Sequence, residues 1–177
     1  MNEIIKDGNQ FVGYDYKQVT VPFKKVSQYL DGYLNFGWIP DKNVQQKKGN
    51  GQVMLHLKRD RKILNKTELT RLHRHFESCM DEINAMEKSK NLFSRMISTI
   101  VGIIGTIFIA GSTFAVTNEP PIIWLCVLLA IPGFIGWILP YFVYKALFKK
   151  MSKKLTPLIE KKYDEIYEIC KMGNKLM

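Results

Sequence analysis

The sequence predicts a membrane α-helical hairpin, two transmembrane helices carried on a helical cytosolic stalk, with a small N-terminal α+β domain of β-α-β-β order. Three observations predict it. Residues 96–144 hold one charged residue, Glu119, in a chain of net charge +10. Basic residues gather on both flanks of that stretch and leave its centre bare. Ahead of residue 62, apolar residues recur with the alternation of strands and, once, with the spacing of a helix.

Taken in order, "YDYKQVTV" (14–21) alternates and is rich in aromatic and β-branched residues, as a strand is. Pro22 ends it and suits the first turn of a helix. Phe23, Val26, Tyr29, Leu30, Tyr33 and Leu34 then fall at helical spacing, with Gly37 as the stop. "WIPD" reads as a second strand and "KNVQQKKGNGQ" as a polar loop. "VMLHLKRDRKI" reads as a third strand, with Val53, Leu55 and Leu57 on one face. Three strands and one helix bury little area, so Trp38 and Tyr16 are expected as core anchors. For the same reason the unit is expected to lean on the next helix or on a neighbouring subunit.

Asn65 followed by Glu68 is a capping-box start. Leu69, Leu72, Phe76, Cys79, Ile83 and Met86 then form a heptad seam in a helix with no breaker before the apolar run. Beyond the second run, Pro157 stands at a first-turn position, ahead of Ile159, Tyr163, Ile166 and Cys170 at seam spacing. The two seams most simply pack on each other as a stalk, or else join several protomers.

Met96–Val116 and Pro121–Tyr144 carry no charge, and about 20 residues suffice for a helix to cross a ~30 Å hydrocarbon core. The chain is therefore divided into a 1–61 cytosolic β-α-β-β domain, a 62–95 amphipathic, coiled helix and a 96–117 first span. A 118–120 extracellular turn, a 121–147 second span and a 148–177 cytosolic C-terminal helix complete it. Lys88, Lys90 and Arg95 precede the first span, and Lys145, Lys149, Lys150, Lys153 and Lys154 follow the second. The loop between them has no Lys or Arg, so both termini are expected in the cytosol, in a multi-pass protein of the plasma membrane. Those basic residues are also the candidate contacts for anionic lipid head groups or a cytosolic protein partner. No cleavable signal peptide is expected. Cys79, Cys126 and Cys170, without a CxxC, indicate a reducing compartment.

The matches Tyr14, Tyr16, Lys17, Leu34, Asn35, Gly37, Trp38, Leu57, Lys58 and Arg59 make residues 12–61 resemble a family of small bacterial domains of unknown function. The whole chain resembles two-span membrane proteins of Gram-positive bacteria. Neither resemblance implies an activity.

Ser98, Gly102, Thr106 and Ala110 recur every four residues and form a small-residue strip, with Gly133 and Gly136 as its complement on the second span. The strip seats the second span of the same chain or a second copy in a homo-oligomer. Pro132 and Pro140 predict kinks. Glu119 and Pro120 sit at the outer end of the second span, where the helix dipole favours a carboxylate. Stalk, span, Glu-Pro loop, span and stalk together resemble the mitochondrial calcium uniporter, which implies a ring of Glu119 carboxylates at a pore mouth. The Trp and Asp that precede the Glu in that family are absent here, where Phe114, Ala115 and Val116 are apolar.

His73, His75 and Cys79 invite a metal reading, but zinc needs three or four convergent ligands and no second cluster supplies them. No metal or cofactor is expected. No nucleophile elbow or phosphate-binding loop is present, so no catalytic residue is assigned. The basic residues of 58–74 have no nucleic-acid-binding module around them, and nucleic acid is not expected as a partner. The expected function is non-enzymatic: a membrane protein that presents a partner- or lipid-binding domain to the cytosol. The alternative is a homo-oligomeric cation channel.

Overall fold

Alternation along residues 53–59 turns Val53, Leu55, Leu57 and Arg59 to one face, and all four are buried. They belong to β6 (Gln52–Asp60), the strand around which the sheet is built. The computed structural model describes residues 5–7, 10–44, 47–49, 51–117, 119 and 121–177. β3 (Tyr14–Pro22) pairs antiparallel with β6, Val19 opposite Leu55. The short strands β4 (Ile39–Pro40) and β5 (Lys47–Gly49) also pair antiparallel with β6, through Lys58–Leu57 and Met54–Gln52 respectively. A separate hairpin, β1 (Ile5–Asp7) with β2 (Gln10–Val12), precedes the sheet.

The sheet corrects two expectations. The stretch expected as a polar loop contains β5, folded back onto β6 through Gly51 at φ 72°; polar residues suit a strand that, among the described residues, pairs on one edge. Tyr16 is not a core residue, being 42% exposed while Trp38 is 6% exposed. The period of two decides this: Asp15, Lys17, Val19 and Val21 share one face of β3, and Tyr16 shares the other with Gln18 and Thr20.

After a single 3-10 turn over Phe23–Lys25, α1 (Val26–Leu34) buries Tyr29, Gly32 and Tyr33. Phe23 and Leu34, expected on its apolar face, are exposed. Gly37 ends the helix with φ 78°, the left-handed conformation that glycine adopts without strain.

Two long helices follow, α2 (Lys66–Thr117) and α3 (Ile123–Leu176), so the fold is mostly helical with a small strand-containing N-terminal part. Both are long and apolar enough to cross a membrane. The chain forms two compact units. One comprises Met1–Asp81 with Lys162–Met177, the other Glu82–Lys161. Asn65 has φ 54°, outside the extended region an N-cap adopts, and Glu68 pairs forward with Arg71 instead of closing a capping box. Pro157 does not begin a helix; it lies inside α3, as do Pro132 and Pro140. An interior proline removes one hydrogen bond at a cost of about 3 kcal/mol, and good helix formers on both sides outweigh it.

In the first unit, residues 1–61 do not close a core alone. Phe76 of α2 lies 5.6 Å from Tyr33 and 5.7 Å from Phe36, ring centre to ring centre, and edge-on to Tyr29. The expected seam residues Leu69, Leu72, Phe76 and Cys79 are buried, yet Phe76 faces this aromatic layer. At the other end of the chain Ile169 and Gly173 are the buried positions, and a Cβ on Gly173 would lie 2.8 Å from the Asn35 carbonyl oxygen. The C-terminal turns thus rest on the end of α1.

A Cβ at Gly32 would fall inside the Phe76 ring's contact distance. Gly32→Ala is therefore expected to destabilise the first unit by about 1–3 kcal/mol through overpacking. Chemical denaturation followed by tyrosine and tryptophan fluorescence measures it.

Candidate functional site

In the first unit, β3, α1 and α2 bring four polar groups to one place. Glu77 Oε1 accepts a hydrogen bond from the Tyr33 hydroxyl at 2.6 Å and pairs with Lys17 Nζ at 2.7 Å. Lys17 Nζ also lies 3.3 Å from His73 Nε2. His73 and Glu77 stand one helical turn apart, on the face of α2 that carries Phe76. Burial lowers His73 to about 4, the nearby Glu77 opposing and the cations Lys17, Arg59 and Arg74 assisting. Its ring is therefore neutral near pH 7, with Nε2 as acceptor for the Lys17 ammonium. Burial alone would raise Glu77, but its hydrogen bonds from Lys17 and Tyr33 hold the carboxyl below its ordinary value. Burial and the Glu77 carboxylate push the Tyr33 hydroxyl well up. These groups hold opposite charges in a fixed geometry.

Beside them, the buried Arg59 guanidinium stacks 4.5 Å from the Trp38 ring centre. Its Nε and Nη1 have no hydrogen-bond partner among the described residues, and Nη2 reaches Asp15 only at 4.0 Å. Asp15 is more closely bound to Lys66 Nζ at 2.5 Å, which ties β3 to the start of α2. Burial lowers the Arg59 pKa and Asp15 opposes it.

A second grouping joins α2 to α3. His75 Nε2 is 2.9 Å from Glu165 Oε1, and Lys162 Nζ holds the other carboxylate oxygen at 2.9 Å. The Cys79 sulfur completes a set of three donor atoms within 4.8 Å of one another. Spacing along the sequence shows His75 and Cys79 on one helix face but is silent on Glu165, which only the fold supplies. Cys170 is separate, its thiol raised by burial to about 11 and hence protonated.

The second unit holds the expected helix-packing residues. Ser98, Gly133 and Gly136 are buried, and the Ser98 hydroxyl donates to the Pro140 carbonyl. Gly102 is only partly covered, its nearest approach to α3 being Pro140 Cγ, 3.6 Å from where a Cβ would stand. Thr106 and Ala110 are exposed. Gly105, absent from the expected strip, is the close contact: a Cβ on Gly136 would lie 2.6 Å from its Cα. Helix geometry explains the shift. Steps of four residues turn the strip by about 40° each time, whereas steps of seven drift by about 20°, so Ser98, Gly105 and Ser112 keep to one side. All three are buried, and Ser112 donates to the Cys126 carbonyl at 2.9 Å. The Thr106 and Thr113 hydroxyls turn back to the carbonyls of Gly102 and Ile109.

Arg95 lines a groove of about 660 Å³ with Ser98, Thr99, Gly102, Ile103, Thr106, Trp137, Pro140 and Tyr144. Lys88, Lys145, Lys149, Lys150, Lys153 and Lys154 are exposed, and Lys90 is partly covered. Glu119 is exposed between α2 and α3, and Pro120 lies outside the described residues. No family model, curated protein or solved structure matches the chain.

Two measurements check these sites. His73 binds a proton more readily unfolded than folded, so its neutral ring supports the fold fully above about pH 6.5. That support is lost as pH falls from there towards 4. Stability measured across that window is expected to fall more steeply in the native chain than in His73→Asn. Gly136→Leu is expected to destabilise the pairing of α2 with α3 by about 1–3 kcal/mol, read as lower thermal stability in detergent.

Proposed function

We propose that the chain is a non-enzymatic integral membrane protein. It crosses the plasma membrane twice, keeps both termini in the cytosol and presents its strand-containing unit there to a protein partner. One observation carries the membrane reading. Of the most apolar 18-residue window, only 17% is buried in α2 and 11% in α3. Ile107, Phe134 and Ile138 are each more than 60% exposed. A core hairpin of a water-soluble protein would bury such side chains, each gaining about 1.5–3 kcal/mol by leaving water. Hydrocarbon solvent removes that demand.

The exposed lysines at 88, 145, 149, 150, 153 and 154, together with Arg95, support the orientation, since cationic flanks stay on the cytosolic side. In that setting they also meet anionic head groups.

Cell fractionation with an alkaline carbonate wash, combined with reporter fusions at each end, tests the proposal. The chain is expected to stay in the membrane pellet with both reporters active only as cytosolic fusions. Release into the supernatant, or a reporter active outside, would overturn it.

A further inference from the structure

His75 and Cys79 lie one turn apart on α2, and α3 brings Glu165 against them within the same compact unit. We propose that these three residues form a zinc site, with the fourth coordination position open to solvent. Imidazole, thiolate and carboxylate together suit Zn²⁺, whereas Mg²⁺ and Ca²⁺ take oxygen donors. The i, i+4 spacing lets His75 and Cys79 approach one ion from a single rigid helix.

The distances need only side-chain rotation. Zinc bonds of about 2.0–2.3 Å in tetrahedral geometry separate neighbouring ligand atoms by about 3.3–3.6 Å. The three donors already lie within 4.8 Å of one another, and His75 Nε2 must move only slightly off Glu165 Oε1 from 2.9 Å. Lys162 holds the second Glu165 oxygen, which orients the first towards the ion, the role an outer-shell partner plays.

The Cys79 thiol gives up its proton on binding, and the resulting thiolate and the Glu165 carboxylate supply two negative donors to Zn²⁺. His75 is exposed and gives the ion a route in, while Cys79 is buried and shielded from oxidants. Bound zinc would fasten the early turns of α2 to the late turns of α3 beside the His75–Glu165 pair.

Cobalt titration of the full-length chain, purified in mild detergent under reducing conditions, tests the site. One Co²⁺ per chain is expected, with thiolate-to-cobalt charge-transfer absorption that Zn²⁺ abolishes. His75→Gln and Glu165→Gln are each expected to weaken Co²⁺ binding more than about tenfold with unchanged circular dichroism. Cys79→Ser is expected to remove the charge-transfer band, whereas Cys126→Ser and Cys170→Ser keep it. Binding without that band, a band that survives Cys79→Ser, or affinity unmoved by Glu165→Gln would overturn the proposal. Should Cys79→Ser unfold the chain, the His75→Gln and Glu165→Gln variants decide the matter.

Discussion

Phe76 occupies space that Gly32 leaves open. A sheet of four strands with a nine-residue helix has more apolar surface than it can cover, and the Phe76 ring closes the gap between Tyr29, Tyr33 and Phe36. Any side chain at residue 32 would hold that ring off. Once Phe76 is seated, the rotation of this part of α2 about its axis is set. His73 and Glu77, three residues before and one after, are then carried to Lys17 and Tyr33 by helical geometry alone. Gly173 makes a comparable allowance, letting the C-terminal turns approach Phe36 and the Asn35 carbonyl.

The same device serves a different purpose in the second unit. Gly105 and Gly136 bring two helix backbones together within a largely apolar stretch of each helix. In water, burial of apolar area would drive such a pair together. In the lipid setting proposed here that incentive is absent, and close dispersion contact with hydroxyl-to-carbonyl bonds replaces it. Ser98 and Ser112 supply such bonds on either side of the glycine contact.

Polar groups inside the first unit follow from period and register more than from any reaction. Arg59 continues the inward face of Val53, Leu55 and Leu57, so its guanidinium enters the interior whatever its charge. Trp38 gives it an aromatic face, and Asp15 gives it a distant counter-charge. Two of its nitrogens go without hydrogen bonds among the described residues, a cost that the surrounding apolar burial carries.

What the sequence determined by itself are the properties that depend on near neighbours. Alternation placed β3 and β6, Gly37 ended α1, and two uncharged runs marked the apolar parts of α2 and α3. Local pattern was silent or misleading where a distant partner decides. Tyr16 has the composition of a core residue but the wrong parity, and the polar residues of β5 hid a strand that pairs with β6. A four-residue strip was plain in the sequence, yet helix rotation left Thr106 and Ala110 exposed and put Gly105 at the close contact. Glu165 joins His75 and Cys79 only because the start of α2 and the end of α3 lie beside each other in one unit. Spacing within a helix is fixed by the backbone's own repeat and can be read along the chain; which residue meets another across the fold depends on packing, which no local repeat contains.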